Sequence, residues 1–306
     1  MKTVKSPLVR CAKNPILTPA MMPFDCYTVM NAGATRFEGD VLLLLRVETR
    51  ERKTQFHVAR SRNGIDFEVN PEPIRYPLTE LDRLGTRPHR FDMRITRMGE
   101  VYYVFHANWL DPWGSLINLA KTTDFVNFEP VSHSVPANRN AVLFPEKING
   151  RYARLERPQN IDGRGAIWYS ESPDLEFWGR SMPVMLPATD WAQFKQGAGC
   201  VPVRTPHGWL EIYHATAMTA STENYYLGAC LLDLDEPWKV VAAPKSFLLA
   251  AEELYECVGQ TPNVVFTGGG CEMDDGSYFL YYGAADTRMC MARTTISELV
   301  DFCLEA

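Results

Sequence analysis

Two kinds of side chain in this sequence could do chemistry. One is a single carboxylate that could act as an acid, and the other is a scattered set of basic side chains that could bind an anion. Five corresponding segments each precede a glycine turn, and Asp92 is the single acid found where such a segment starts. Simple hydrolysis of a glycosidic bond normally needs two carboxylates, one to protonate the leaving oxygen and one to activate water or attack the sugar. The lone Asp92 does not meet that requirement.

Basic side chains gather on segments near the one that contains Asp92. They are Arg46, Arg139, Arg157, Lys195 and His214. A pocket with one acid and several cations suits an oxyanion such as phosphate, which arginine grips with two parallel hydrogen bonds. Each of these side chains can instead be solvated surface charge, and His214 can equally be a satisfied core histidine.

A pattern that recurs five times positions these segments. It consists of an extended apolar segment, a tight glycine turn, a second strand rich in β-branched or aromatic residues, and a third strand. The turn glycines are Gly39, Gly99, Gly150, Gly208 and Gly276. The third strands recur about 50 to 60 residues apart, which fits one four-stranded blade each. We predict an all-β, five-bladed β-propeller that spans residues 1–306 as a single domain; the alternative is a two-sheet sandwich.

The innermost strand of each propeller blade lines the axial channel, so the five segments are predicted to face one central pocket. Two tryptophans, Trp109 and Trp113, are predicted in the loop between the second and third strands of blade two. Their aromatic faces either stack on a sugar ring or simply pack within the loop.

Composition bounds the class of protein. The 306 residues contain 31 basic and 37 acidic side chains, for a net charge of −6, and no long basic cluster indicates a nucleic-acid surface. No apolar run resembles a signal peptide or membrane span, so we expect a cytoplasmic protein without a membrane partner. The eight cysteines lack paired short spacings, which favours reduced, buried thiols and no metal site.

Many short motifs, in register along nearly the whole chain, resemble those of glycoside hydrolase family 130, the β-mannoside phosphorylases. The motifs are Ile16-Leu-Thr-Pro, Asn31-Ala-Gly-Ala, Leu43-Leu-Leu-Arg-Val-Glu48, Ala59-Arg-Ser, Asp92-Met-Arg-Ile-Thr96, Leu143-Phe-Pro-Glu-Lys-Ile-Asn-Gly150, Gly197-Ala-Gly, Gly208-Trp, Ile212-Tyr-His and Tyr281-Tyr-Gly-Ala-Ala-Asp286.

The resemblance implies a five-bladed propeller that breaks a β-mannosidic bond with inorganic phosphate and releases α-mannose 1-phosphate with inversion. Phosphate is then a co-substrate, and no cofactor is expected. Asp92 matches the family's single general acid, which relays its proton through a sugar hydroxyl. The phosphate shell is matched by Arg46, Arg139, Arg157, Lys195 and His214, and sugar contacts are matched by Asn31, Arg94 and Asp286.

Simpler roles stay open for some of these residues. Asp92 alternates with Arg90 and Arg94, so the three side chains can form an ion pair on one face of a channel strand. Flanking guanidinium groups favour the carboxylate, whereas a general acid must keep its proton. Asp286 can merely cap a turn.

The chain departs from the family pattern at Phe91-Asp92-Met93-Arg94, at Glu156-Arg157-Pro158 and at Gly197-Ala-Gly-Cys-Val-Pro202, which leaves the acceptor sugar open. The alternatives to a phosphorylase are a β-mannosidase of the same fold, with Glu156 or Glu211 as an added acid, and a non-catalytic sugar-binding propeller. The oligomeric state is also open, with a homo-oligomer as one option.

Overall fold

The strands form five antiparallel sheets arranged in a ring. The computed structural model describes residues 5–84, 89–160, 162–187, 190–220 and 222–305. Within these ranges, four sheets are built from strands that follow one another in the chain, and the fifth also takes in a strand from the N-terminus. The predicted five-bladed β-propeller is confirmed.

The chain starts with β1 (Val9–Arg10) and then builds the blades in order. Blade one contains β2 (Thr28–Phe37), β3 (Asp40–Glu48), β4 (Thr54–Ser61) and β5 (Glu68–Val69). Blade two contains β6 (His89–Met98), β7 (Val101–Leu110), β8 (Gly114–Thr122) and β9 (Glu129–His133). Blade three contains β10 (Asn138–Leu143), β11 (Tyr152–Pro158), β12 (Ile167–Ser172) and β13 (Gly179–Met185).

Blade four is formed by β14 (Lys195–Ala198), β15 (Val203–Thr205), β16 (Gly208–Met218), β17 (Glu223–Leu232), β18 (Val240–Ala242) and β19 (Leu249–Ala250). Blade five is formed by β20 (Val265–Glu272), β21 (Ser277–Ala284), β22 (Arg288–Thr295) and the N-terminal β1. The helices are a 3₁₀ turn (Pro19–Met21), α1 (Glu80–Leu84), α2 (Leu254–Cys257) and α3 (Ile296–Leu304).

Each blade buries both of its faces against its neighbours, which explains the continuous apolar strands. In β3, Leu42 and Leu44 pack against blade two, whereas Leu43 and Leu45 pack against blade five. Successive side chains of a strand point to opposite faces, so a sheet covered on both faces needs an unbroken apolar run. The five hydrophobic clusters of the described residues each lie between two neighbouring blades.

The N-terminal segment closes the ring. Strand β1 pairs with β22, so the first strand of the chain completes the last blade. Arg10 in β1 also forms a 2.8 Å ion pair with the fully buried Glu256 of α2. The α3 helix begins with a capping box formed by Thr295 and Glu298 and packs against blades four and five.

The five predicted glycine turns all join a first strand to a second strand. Gly39 and Gly150, for example, have φ angles of 86° and 79°, values that glycine adopts without steric penalty. All eight cysteines are free thiols. Within the described ranges, no helix is long and apolar enough to cross a membrane, and no cluster of His, Cys, Asp or Glu is arranged to hold a metal ion.

Candidate active site

Bulges in the inner strands create the polar centre of the propeller. Asn31, Asp92 and Asn140 all have left-handed backbones, with φ angles of 47°, 58° and 55°. At each of them the register between the first and second strands of the blade shifts. Asn and Asp adopt this conformation more readily than other L-residues, and a bulge re-aims the side chain beside it. The bulges therefore place polar groups where the inner strands of neighbouring blades meet.

Asp92 is the acid at this centre. Its side chain is almost fully buried, at 4% exposure. Oδ1 accepts hydrogen bonds from Nδ2 of Asn31 at 3.1 Å and from Nη1 of Arg46 at 3.2 Å, while Oδ2 lies 4.0 Å from Nη2 of Arg139. Four side chains from blades one, two and three thus converge, as the sequence predicts for a shared pocket.

The expected alternation of Asp92 with its flanking arginines is wrong because the bulge interrupts the strand. Arg90 donates to Oδ2 of Asp82 in α1 at 2.7 Å and not to Asp92. Arg94 is fully buried and donates to the backbone carbonyls of Ala198, Gly199 and Asp92. Arg94 therefore ties the Asp92 bulge to blade four, and all of its described hydrogen bonds go to backbone oxygens.

The pKa of Asp92 is the result of two opposing effects. Burial disfavours the carboxylate, but the positive charges of Arg46, Arg139 and Arg94, with the Asn31 hydrogen bond, outweigh burial and hold the pKa below its usual value. Asp92 is therefore ionised at neutral pH in this structure. Negative charge placed beside these arginines would weaken their effect and raise the pKa of Asp92.

Arg46 is held between two carboxylates. Its Nη2 donates to Glu48 at 2.8 Å, while Nη1 contacts Asp92. Its side chain is stacked near the ring of Phe91, 5.5 Å from guanidinium carbon to ring centroid. Two charge-assisted hydrogen bonds and this stacking fix Arg46 beside the acid.

Asp286 also lies close enough to Asp92 for their charges to interact. It lies with Ala285 in the left-handed turn between β21 and β22. Burial raises its pKa; the Arg46 charge opposes that rise and the Asp92 charge adds to it. One residue thus forms a turn and also brings a second carboxyl group close to Asp92.

A second group of basic residues lies across blades three and four. Arg139 and Arg157 are directly paired across β10 and β11, so two guanidinium groups share one end of the sheet. Nη1 of Arg157 lies 3.2 Å from Nε2 of His214 in blade four. Like charges on directly opposed residues destabilise a sheet unless an anion lies between them.

The electrostatics of this group follow from burial and mutual repulsion. Burial, then the charge of Arg139, lowers the pKa of Arg157 to about 9. Burial, followed by the charges of Arg157, Arg94, Arg139 and Lys195, lowers the pKa of His214 well below its ordinary value. Neutral His214 accepts the Arg157 hydrogen bond at Nε2 and carries its proton on Nδ1. That Nδ1–H is buried and has no partner among the described residues.

Lys195 completes this group from the start of β14. Its Nζ forms a 2.8 Å ion pair with Glu223, and its backbone forms a bridge to Gly165 of blade three. The structure therefore brings Lys195, Arg157, His214 and Arg139 together, as predicted. Arg46 and Arg139 both lie beside Asp92, but Arg46 is also held by Glu48, whereas Arg139 is paired with Arg157. We call Arg139, Arg157, Lys195 and His214 the anion group.

Three glycines make room for these side chains. A Cβ on Gly197 would lie 2.5 Å from Cε1 of His214, and one on Gly165 would lie 2.9 Å from Cδ of Arg157. A Cβ on Gly283 would overlap with Oδ1 of Asn31. The glycines in the Gly197-Ala-Gly and Tyr281-Tyr-Gly motifs are thus required by close packing against the site.

The two glutamates that could supply the added acid of a β-mannosidase do not lie beside Asp92. Glu156 forms a 2.7 Å ion pair with Arg154. Glu211 is buried, its Oε1 accepts from the Gly199 backbone, and burial raises its pKa well above the usual range. Neither carboxyl group contacts Asp92 in the described part of the chain.

Sequence reasoning missed Asn140 and Glu223. Asn140 repeats the bulge of Asn31 and Asp92 in the third blade, and its buried Oδ1 has no partner among the described residues. Aligning the inner strands of the blades identifies it, because Asn31, Asp92 and Asn140 occupy corresponding positions. Glu223 gives no such signal, since only folding brings it beside Lys195.

Comparison with known proteins identifies the family of this chain. A family profile described as beta-1,4-mannooligosaccharide phosphorylase matches residues 6–305. A Ruminococcus albus beta-1,4-mannooligosaccharide phosphorylase is 34% identical over 97% of this chain and 91% of its own. A Bacteroides fragilis 4-O-beta-D-mannosyl-D-glucose phosphorylase is 35% identical over 90% of this chain and 75% of its own.

A solved structure also matches almost end to end. It is a complex of beta-1,2-mannobiose phosphorylase from Listeria innocua with beta-1,2-mannobiose, and it superposes with a TM-score of 0.86 at 27% identity. The match covers 98% of this chain and 99% of that one. On the profile match and the full-length relatives, the chain belongs to glycoside hydrolase family 130.

Proposed function

We propose that this protein cleaves β-mannosides by phosphorolysis, with inorganic phosphate as the second substrate, and releases α-mannose 1-phosphate with inversion. The observation that carries the proposal is that one central acid, Asp92, lies beside the anion group, with Arg139 4.0 Å from its Oδ2. The names of the full-length relatives, all phosphorylases of mannosides, support the same chemistry. We propose β-1,4-mannooligosaccharides as substrates because the family profile and the Ruminococcus albus relative carry that name.

Phosphate replaces the second carboxylate in this reaction. One phosphate oxygen attacks the anomeric carbon from the α face while the β-glycosidic C–O bond breaks. The leaving oxygen receives a proton that originates on Asp92, directly or through a sugar hydroxyl, and Asp92 is left as a carboxylate. The nucleophile is the co-substrate itself, so a single protein carboxyl group is enough.

The anion group would hold phosphate through charge-assisted hydrogen bonds. Arg139 and Arg157 supply guanidinium donors, Lys195 supplies an ammonium group, and neutral His214 donates from Nδ1. Phosphate bound here places negative charge beside Arg139 and weakens its effect on Asp92. The pKa of Asp92 then rises, which allows the acid to carry a proton before the bond breaks.

The remaining site residues are assigned by their contacts. Arg46 touches Asp92 and Glu48, so we propose that it orients the acid and meets the mannose unit, and does not bind phosphate. Asn31 and Asp286 lie beside the same acid and suit hydrogen bonds to mannose hydroxyls. Arg94 ties the Asp92 bulge to the backbone carbonyls of blade four, so we do not propose that it touches the sugar.

The experiment is turnover with and without phosphate. Purified protein is incubated with β-1,4- and β-1,2-mannobiose, and both mannose 1-phosphate and free mannose are measured. A phosphorylase forms mannose 1-phosphate only when phosphate is added. Release of mannose at the same rate without phosphate would make the protein a β-mannosidase. Binding of mannobiose without any turnover would make it a sugar-binding propeller.

A further inference from the structure

Two exposed tryptophans lie at the end of blade two that is nearest to Asp92. His89, three residues before Asp92 on the inner strand, pairs directly with Trp109 on β7. Three residues of a strand span about 10 Å. Trp109 lies within β7, not in the connecting loop as predicted, and Trp113 lies in the turn that follows. Their exposures are 44% and 45%.

The hairpin that carries both indoles is held in place. Nε1 of Trp109 donates to Asp111 at 3.0 Å. Ser115, at the start of β8, donates to Gln159 of blade three at 3.1 Å. The hydrogen bond fixes the edge of the Trp109 ring, and the tie to blade three fixes the hairpin. A rigid aromatic surface loses little conformational entropy when it binds a ligand.

The inner strands close the axial channel on the far side of Asp92. A Cβ on Gly33 would lie 2.7 Å from the carbonyl oxygen of Met93, and one on Gly268 would lie 3.0 Å from the carbonyl oxygen of Ala32. The backbones of blades one, two and five therefore touch just beyond the bulges. An oligosaccharide cut beside Asp92 has no room to continue in that direction, so its remaining units must extend toward the end where His89 and the tryptophans lie.

We propose that Trp109 and Trp113 form a distal acceptor subsite that stacks on the third and later units of a β-mannooligosaccharide. The proposal rests on the proposed function, because it concerns the leaving part of the same substrate. Apolar faces of sugar rings are suited to stacking on indole, which offers the largest aromatic surface among side chains. The subsite would make the protein prefer chains of three or more mannose units to mannobiose.

The test compares chain lengths in the full-length protein. We measure kcat/KM for β-1,4-mannobiose, mannotriose and mannotetraose at saturating phosphate, for wild type, Trp109→Ala and Trp113→Ala. We expect each variant to lose about 3- to 10-fold on the longer chains, the range that aromatic contacts supply. Mannobiose turnover should change less than twofold, and Trp113→Tyr should retain the preference.

The control is Phe177→Ala. Phe177 is 73% exposed and follows the third strand of blade three, at the opposite end of the propeller. It should leave all three substrates unchanged. Equal losses on mannobiose and longer chains, or no loss on any, would overturn the subsite. So would a change of oligomeric state on gel filtration in Trp113→Ala, because the indoles would then cover a second copy of the chain. If wild type turns over no mannoside with phosphate, the proposed function itself fails.

Discussion

The amide of Asn31 donates a 3.1 Å hydrogen bond to the Asp92 carboxylate across the boundary between blades one and two. Both residues lie in bulges with left-handed backbones. The bond joins two blades at the point where chemistry is proposed. It also stabilises the ionised form of Asp92, so the resting site is prepared to bind an anion before it donates a proton.

Replacing Asp92 by Asn should remove the proton donor while the amide keeps a similar shape. General acid catalysis contributes about 10²- to 10⁴-fold, and we expect kcat/KM for mannose 1-phosphate release to fall by that amount. The variant should still bind phosphate and melt cooperatively. Asp66→Asn, at an exposed carboxylate on the outside of blade one, is the control and should be unchanged. Near wild-type turnover in the Asp92 variant would exclude Asp92 as the acid.

The blade count and the central acid could be predicted because both follow from a pattern that repeats along the sequence. Glycine turns and apolar strands recur with each blade, and Asp92 occupies the position that blades one and three fill with Asn31 and Asn140. The partners of Arg90 and Arg94 could not be predicted. One bulged residue rotates the strand, and alternation no longer tells which face a side chain takes.

The sequence also did not predict that Arg46 is held differently from the basic residues of the anion group. Arg46 and Arg157 both lie on the second strand of a blade, so their strand positions do not separate them. The distinction comes from Glu48 and Asp92, which hold Arg46, and from His214, which contacts Arg157. These contacts join strands of different blades or depend on side-chain direction.

Lys195→Ala should weaken phosphate binding selectively. Hydrogen bonds to charged groups are worth about 1.5–3 kcal/mol, so the KM for phosphate should rise about 10- to 100-fold. The KM for mannobiose should rise far less, because Lys195 lies in the anion group and not beside Asn31. Steady-state kinetics with each substrate varied separately gives the two values.

The control for Lys195 is Lys121→Ala. Lys121 also forms an ion pair with a glutamate, Glu129, at 2.9 Å, but on the outer part of blade two. It should change neither KM. If Lys195→Ala raises both KM values equally, the residue supports the structure of the site and does not bind phosphate.

Gly197→Ala should damage the anion group without changing any charge. The added Cβ lies 2.5 Å from the His214 ring, so the ring must move away from Arg157. Overpacking of this kind typically costs about 1–3 kcal/mol, and chemical denaturation should show that loss. The KM for phosphate should rise as well, because the Nδ1 donor is displaced.

The matched control is Gly179→Ala. No atom lies within 4 Å of a Cβ added to Gly179, which starts β13 on the outside of blade three. Its denaturation midpoint and kinetics should match those of wild type. Wild-type phosphate affinity in Gly197→Ala would show that the position of the His214 ring does not matter for the anion.

Acidification should destabilise the protein through its buried histidines. Burial, then the Arg90 charge, lowers the pKa of His106 to about 3, whereas in the unfolded chain it stays near 6.5. Below pH 6.5 the unfolded state binds a proton that the folded state does not. Stability is therefore full above pH 6.5 and falls as the pH drops toward 3, by about 1.4 kcal/mol per pH unit for this histidine.

Urea unfolding at pH 7.5, 6.5 and 5.5 measures this slope. Glu211, whose pKa is raised by burial, acts in the opposite direction, so the contribution of His106 is read from the difference between wild type and a His106 variant. His57 and His214, whose pKa values are also lowered by burial, should add to the slope. The free energy of unfolding of His106→Gln should fall less steeply with acid than that of wild type. His133→Gln, at an exposed histidine of the same blade, should keep the wild-type slope. An unchanged slope in His106→Gln would mean that the pKa of His106 is nearly the same in the folded and unfolded protein, which would contradict the lowered pKa.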